Sequence, residues 1–263
     1  MTNTNIRSDI KFGWTDIETG GLDGKLEDGT LGMETYPILE VAMHITDSEL
    51  NIIDGEGFRV VIHQPEDVIA KMSEWSIEKH TESGLLDEVR ASTITLQQAE
   101  QMTLEHLRKH GAQPYDRKAK TGTLMAGNSI KLDRNYLNCQ MPELDKYFHY
   151  RQADISAVAL FVREWHPDIE ASVNKKYLHQ ALPDIRESIM EAKVYKERLF
   201  RDDCVVSDTV DVHAEINFLS EDMGRIMSKF STDLDFHQVQ HLRGKLAGIQ
   251  DRLDQLAKET RLA

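Results

Sequence analysis

Four acidic residues and one histidine are the side chains whose types and spacing could do chemistry: Asp16 and Glu18 near the start, Asp133 in the middle, and His179 and Asp184 in a later run. Asp16 and Glu18 are two apart in a stretch that alternates like a strand, so both carboxylates leave the same face. The following Gly20 and Gly21 allow backbone or ligand to approach closely. An Asp-x-Glu at a strand end is by itself commonly a pair of solvated acids. Asp133 and Asp184 change that reading, because four carboxylates are a usual oxygen set for Mg2+ or Mn2+, which keep water and phosphate oxygens as their other ligands. Without cations such a cluster would repel itself. The chemistry it suits is two-metal hydrolysis of a phosphodiester.

The spacing of His179 and Asp184 constrains the local fold. At roughly 100° per residue, five positions on one continuous helix would leave the two side chains about 140° apart. Pro183 removes the conflict, since proline favours the first helical position. The predicted helix therefore begins near Pro183, with Asp184 in its first turn and His179 on the preceding loop, free to lean back. A histidine beside bound metal suits a general base; the alternative is a surface-loop histidine, one of 11 in the chain.

The elements that must position these groups follow from periodicity. Lys11 to Glu18 reads as a strand with Phe12, Trp14, Asp16 and Glu18 on one side. Ile38 to Ile45 and Gly57 to Ile62 read as two more strands, joined by turn residues into an antiparallel meander, and Leu124 to Gly127 as a short buried strand. Helical spacing occupies Leu96 to His110, Leu132 to Asn138, Ser156 to Trp165 and Ile185 to Phe200. Strands followed by alternating helices indicate an α/β or α+β sheet domain. The segments Gly24 to Thr35 and Gly111 to Gly122 read as mobile surface insertions.

Beyond Phe200 the pattern changes. Val212, Ile216, Leu219, Met223, Ile226 and Phe230, then Val239, Leu242, Leu246, Ile249, Leu253 and Leu256, form a heptad seam that Gly244 and Gly248 weaken. It suits either a hairpin folding back on the rest of the chain or a coiled coil between subunits. The expected organisation is an N-terminal tail (1–10), a catalytic domain (11–200) and a C-terminal helical extension (201–263).

With 263 residues and a net charge of -14, the chain suits one ordinary domain and a smaller appendage. The acidic balance argues against an extended nucleic-acid surface but permits a small anionic substrate at a metal-loaded site. No apolar run approaches the roughly 20 residues of a membrane span, and none precedes the first strand as a secretory signal would, so a cytoplasmic protein is expected. Cys139 and Cys204 lack metal-site spacing and read as packing thiols.

Five collinear runs carry a resemblance: Asp16 to Leu22 (DIETGGL), Trp75 to Gly84 (WSIEKHTESG), Gly127 to Asp133 (GNSIKLD), Met141 to Leu144 with Tyr147 to Arg151 (MPEL, YFHYR), and His179 to Ser188 (HQALPDIRES). Over residues 11–200 they resemble oligoribonuclease, of the DEDDh 3′-to-5′ exonucleases. The resemblance implies an RNase H-like α/β fold, a mixed central sheet flanked by helices, in a homodimer that hydrolyses very short RNA, particularly dinucleotides, to nucleoside 5′-monophosphates. It implies Asp16, Glu18, Asp133 and Asp184 as ligands of two divalent cations, Mg2+ or Mn2+, and His179 as the base. It also implies Leu22 and Trp75 against the bases, Tyr150 and Arg151 reaching the partner's site, Ser129 and Ser156 capping the 5′ phosphate, and His80 as a further contact. The sequence departs from the family at Thr19-Gly20-Gly21, at Pro183, in the 24–35 insertion and in its long tail. A related exonuclease with broader single-stranded RNA or DNA substrates, or a non-catalytic scaffold using the helical tail, are the competing expectations.

Overall fold

A computed structural model describes residues 10–173 and 181–200, with 247–248 and 251 beyond them. The chain divides into two compact units, Met1–Phe200 and Arg201–Ala263. In the second unit the described residues 247, 248 and 251 are helical, while the seam residues themselves lie outside the described residues, as do His179 and Cys204.

The chain runs β1 (Phe12–Thr19), α1 (Gly32–Thr35), β2 (Ile38–Thr46), β3 (Phe58–Val61), α2 (Glu66–Ile69), α3 (Glu74–Glu82), α4 (Leu85–Ala91) and α5 (Leu96–Lys109). It continues with β4 (Leu124–Gly127), α6 (Lys131–Gln140), α7 (Pro142–Tyr147), β5 (Gln152–Asp154), α8 (Ile155–Trp165), α9 (Pro167–Ser172) and α10 (Ala181–Leu199). The sheet order is β3-β2-β1-β4-β5. The meander expected from the sequence is present, β1 and β3 both pairing antiparallel with β2, whereas β4 joins parallel to β1 and β5 parallel to β4. A mixed sheet results, as expected.

Strand alternation sorts the core. Ile17, Val41, Met43 and Ile45 enter one cluster with Leu104 and Leu107 of α5 and Tyr136 and Leu137 of α6. Trp14, Ala42 and Ala126 enter another with Ile185 and Ile189 of α10. Successive strand side chains point to opposite faces, so α10 and the α5–α6 layer cover opposite sides of the sheet. This is why every residue of β2 is buried. Helix α5 opens with a capping box in which Thr95 accepts from the Gln98 N–H and the Gln98 side chain accepts from the Thr95 N–H.

Three expectations need correction. The 24–35 segment is held down: Lys25 bridges Leu31, the Gly32 N–H donates to the Gly24 carbonyl at 2.7 Å, and the segment ends in α1. The 111–122 segment is likewise a closed turn, with Asp116 bridging Thr121. Cys139 is exposed rather than a packing thiol, because it falls on the outer side of α6 from Tyr136 and Leu137. The described part of the last helix begins at Ala181, two residues before Pro183, and keeps Asp184 in its first turn.

Candidate active site

Asp16 and Glu18 stand near the end of β1, opposite Ala42 and Glu40 of β2. The ladder becomes irregular between Glu18 and Thr19, and the strand ends one residue after the second acid. Asp133 comes from the first turn of α6, and its Oδ1 accepts the N–H of Ile17 at 3.0 Å, which pins it between the two β1 acids. The turn leading there is tight: a Cβ on Gly127 would lie 3.0 Å from the Thr15 carbonyl and 2.5 Å from Ile130. Asp184 arrives from the first turn of α10. Asp16, Asp184, Asn128, Ser129 and Ser188 line a cleft of about 330 Å³.

Electrostatics report the convergence. Burial, then Asp133, Glu18, Asp184 and Glu40 in that order, push the Asp16 carboxyl well above the ordinary range. Glu18 is pushed up to about 7 by burial, then by Glu40, Asp184 and Asp133. Burial lifts Asp133 to about 7 despite its bond from Ile17. Glu40 was not anticipated as part of this cluster. It is buried opposite Glu18 with its Oε2 2.6 Å from Arg59, and burial raises it even so.

Partly buried acids whose carboxyls are raised by burial and by neighbouring carboxylates are the donor set a hard divalent cation fits, since its charge reverses the sign of the local field. Among the described residues no three His, Cys, Asp or Glu side chains close around one point as a finished ligand shell. The acids therefore share a field rather than a preformed cage, and two of them, Asp16 and Asp184, line the cleft. His179 lies outside the described residues.

The remaining residues singled out in the sequence separate into groups. Leu22 and Trp75 are 73% and 67% exposed, large apolar groups presented to solvent. The loop bearing Leu22 is anchored from α6, where Tyr136 Oη donates to the Gly21 carbonyl at 2.7 Å and Asn135 donates to Asp23 at 2.6 Å. His80 is buried, and its Nε2 donates to the Thr19 carbonyl at 2.9 Å. Its place is a strut between α3 and the end of β1 rather than an open contact, and burial lowers its pKa. Ser129 and Ser156 come together, their hydroxyl oxygens 3.4 Å apart beside Asp154, which caps α8. They line a second cavity of about 280 Å³ with Arg163, Glu170 and Glu191, sharing Asn128 and Ser129 with the first. Tyr150 is exposed, stacked on His149 with ring centroids 4.5 Å apart, and Arg151 lies 5.5 Å over its ring. Among the described residues neither Tyr150 nor Arg151 lines either cavity.

The RNase_T exonuclease family matches residues 14–192. The oligoribonuclease of Vibrio parahaemolyticus is 42% identical over 197 residues, which are 74% of this chain and 98% of that protein. Among solved structures, S. pombe Pop2p in its Mg2+- and Mn2+-bound form superposes with a TM-score of 0.54 at 15% identity over 72% of this chain and 84% of that one. E. coli exonuclease I in complex with a dA16 oligonucleotide gives 0.52 at 18% identity over 73% of this chain and 42% of that one, so this chain spans under half of that protein. At such identities these two structures speak for the fold alone, and the mixed sheet with helices on both faces is the RNase H-like exonuclease fold. The family match over most of the chain, and an identity of 42% to a relative covered almost end to end, place the acid cluster in a known lineage: the chain belongs to the oligoribonucleases.

Proposed function

We propose that the protein is a 3′-to-5′ exoribonuclease that uses two divalent cations, Mg2+ or Mn2+, to hydrolyse short oligoribonucleotides, dinucleotides above all, to nucleoside 5′-monophosphates. The observation that carries this reading is the convergence of half-buried Asp16 and Glu18 with buried Asp133: Asp133 and Asp184 both raise the Asp16 and Glu18 carboxyls, and burial raises Asp133 itself. Asp16, Glu18, Asp133 and Asp184 hold the cations; Pop2p, a structural neighbour, has been seen in a Mg2+- and Mn2+-bound form. Bound there, divalent cations supply Lewis-acid polarisation of the phosphoryl group and neutralise the charge that builds on its oxygens.

The chain's own residues orient and exclude. The Ile17 N–H keeps the Asp133 carboxylate aimed between the β1 acids. His179, just ahead of α10, takes the proton of the attacking water. Leu22 and Trp75 meet the base faces, a contact that tolerates every base because each has a π-face. Ser129 and Ser156 offer adjacent hydroxyls to a terminal phosphate, and this short span between acids and serines favours substrates of very few nucleotides. Tyr150, exposed and backed by His149 and Arg151, is presented outward, as a residue serving the partner's site in a cytoplasmic homodimer would be.

A time course with 5′-labelled RNAs of two to ten nucleotides tests the reading. Stepwise shortening from the 3′ end, with dinucleotides consumed fastest, is expected. Cleavage at internal positions, or faster turnover of the longest RNA, would overturn it.

A further inference from the structure

A polar chain with no part in the proposed chemistry, buried at His44 and Asp54 and reaching solvent at Arg186, grips the helix that delivers Asp184. His44 of β2 is fully buried on the α10 face of the sheet, beside Trp14 and Ala42. Arg186 of α10 donates from Nε to His44 Nε2 at 3.0 Å. That bond assigns the tautomer: Nε2 accepts, so Nδ1–H donates to Asp54 Oδ1, also at 3.0 Å. Asp54 Oδ2 in turn accepts from His106 Nε2 at 2.9 Å. His106 belongs to α5, on the other side of the sheet, so Asp54 in the β2–β3 loop links the two helical layers. Arg186 Nη2 also reaches the Glu56 carbonyl at 3.1 Å. The loop can close over the imidazole only because Gly57 has no side chain: its φ is +89°, and a Cβ there would fall 2.5 Å from the His44 ring.

Such a chain is costly to bury. An apolar residue at position 44 would fill the same space without desolvating a ring and a carboxylate, whose side chains are both fully buried. Hydrogen bonds add direction, which Ile185 and Ile189 packing on the sheet cannot. Two positions along a helix turn roughly 200°, so Arg186 reaches one side of α10 while Asp184 faces the acids. On a different side, Asn128 donates to Ser188 Oγ at 2.7 Å, and Ser188 donates to the Asp184 carbonyl at 2.9 Å. The start of α10 is therefore tied both to the β2 side and to the turn after β4. Burial alone would raise the Asp54 carboxyl, but the bonds from His106 and His44 outweigh it and hold it below the usual range, so it stays a charged acceptor for both rings.

We propose that Arg186 and His44 are positioning residues for the metal site: the chain Arg186–His44–Asp54–His106 sets the rotation of the first turns of α10 and thereby where Asp184 stands relative to Asp16 and Glu18. This rests on the proposed role of Asp184 as a ligand. The test is calorimetric titration of the full-length protein with Mn2+, together with kcat and KM on a dinucleotide, for the wild type and for Arg186→Ala, Arg186→Lys, His44→Leu and the Arg186→Ala/His44→Leu double variant. Ile189→Val serves as a control that loosens the same helix by one methyl group.

Arg186→Ala is expected to weaken Mn2+ binding about tenfold to a hundredfold, the range seen when groups that orient metal ligands are removed. KM for the dinucleotide should stay near wild type, and excess Mn2+ should recover most of kcat. His44→Leu should match it, and the double variant should be no worse than either single change, because both cut one chain. If the alanine variant fails to fold, Arg186→Lys keeps the charge and stem and should still bind Mn2+ more weakly. Mn2+ binding unchanged in Arg186→Ala or Arg186→Lys, or weakened equally by Ile189→Val, would overturn the positioning role alone. A wild-type protein that binds no Mn2+ would instead overturn the metal reading on which it rests.

Discussion

Replacing Asp133 by asparagine should make the metal-free protein more stable, and the size of the gain follows from the site. The carboxyl is buried and its pKa stands at about 7 instead of 3.8, with burial the main cause. Carrying an ionised carboxylate with that displacement costs about 4 kcal/mol of folding free energy at alkaline pH. Asparagine removes the charge and keeps an oxygen to accept the Ile17 N–H. Its amide N–H2 must be satisfied in the same place, which takes back part of the gain. The net expectation is about 1–3 kcal/mol at about pH 8. The sign with pH is fixed by the raised folded-state value. The wild type is spared the cost below the unfolded pKa near 4 and loses stability as pH rises from there through about 7, so the advantage of Asp133→Asn grows across that window and then levels off. Denaturant titrations in a chelator at about pH 5 and about pH 8 measure it, and Mn2+ should reverse the order by stabilising only the wild type. An Asp133→Asn protein no more stable than wild type at about pH 8 without metal would refute the reasoning.

Three further outcomes follow from the same geometry. Because Glu18 and Asp133 hold protons up to about 7, Mn2+ must displace them at lower pH; affinity should rise as pH increases through about 7 with protons released to the buffer, and an affinity flat from about pH 6 to 8 would contradict this. Trp75→Ala should cost about 1–3 kcal/mol in dinucleotide binding, read as a higher KM, with an unchanged melting temperature because the ring is 67% exposed; a large fall in melting temperature with normal KM would make it a packing residue instead. Gly32→Ala places a Cβ 1.8 Å from the Leu22 carbonyl and should displace the Leu22 loop and raise KM, whereas Gly24→Ala, with nothing within 4 Å, should behave as wild type; equal effects would show that the loop does not position Leu22.

The legible parts of this site are those that local spacing encodes. Asp16 and Glu18 share a face because strands alternate, and Asp184 falls in the first turn of the helix as expected, although the described helix already runs from Ala181, ahead of Pro183. What stayed hidden depends on pairing across the chain. Glu40 joins the acid cluster only through the β1–β2 register that sets it against Glu18. The His44–Asp54–His106–Arg186 chain joins two helices, a strand and a loop, none of whose sequences names the others. Segment 24–35 looked loose because glycine and charge read as mobility, yet Gly32 is there because backbone passes where a side chain would be. Helices α1, α2, α7 and α9 have six residues or fewer, too few to establish a helical period, and β5 has only three.

If the four acids form a metal-dependent hydrolytic site, activity must require both the cation and each acid. Hydrolysis of a single RNA dinucleotide by chelator-treated full-length protein, followed before and after addition of Mn2+ and repeated with Asp16→Asn, tests it most directly. The expected result is no turnover without the cation, rapid release of nucleoside 5′-monophosphate on its addition, and none from Asp16→Asn with the fold intact. Cation-independent hydrolysis, or full activity in Asp16→Asn, would contradict it.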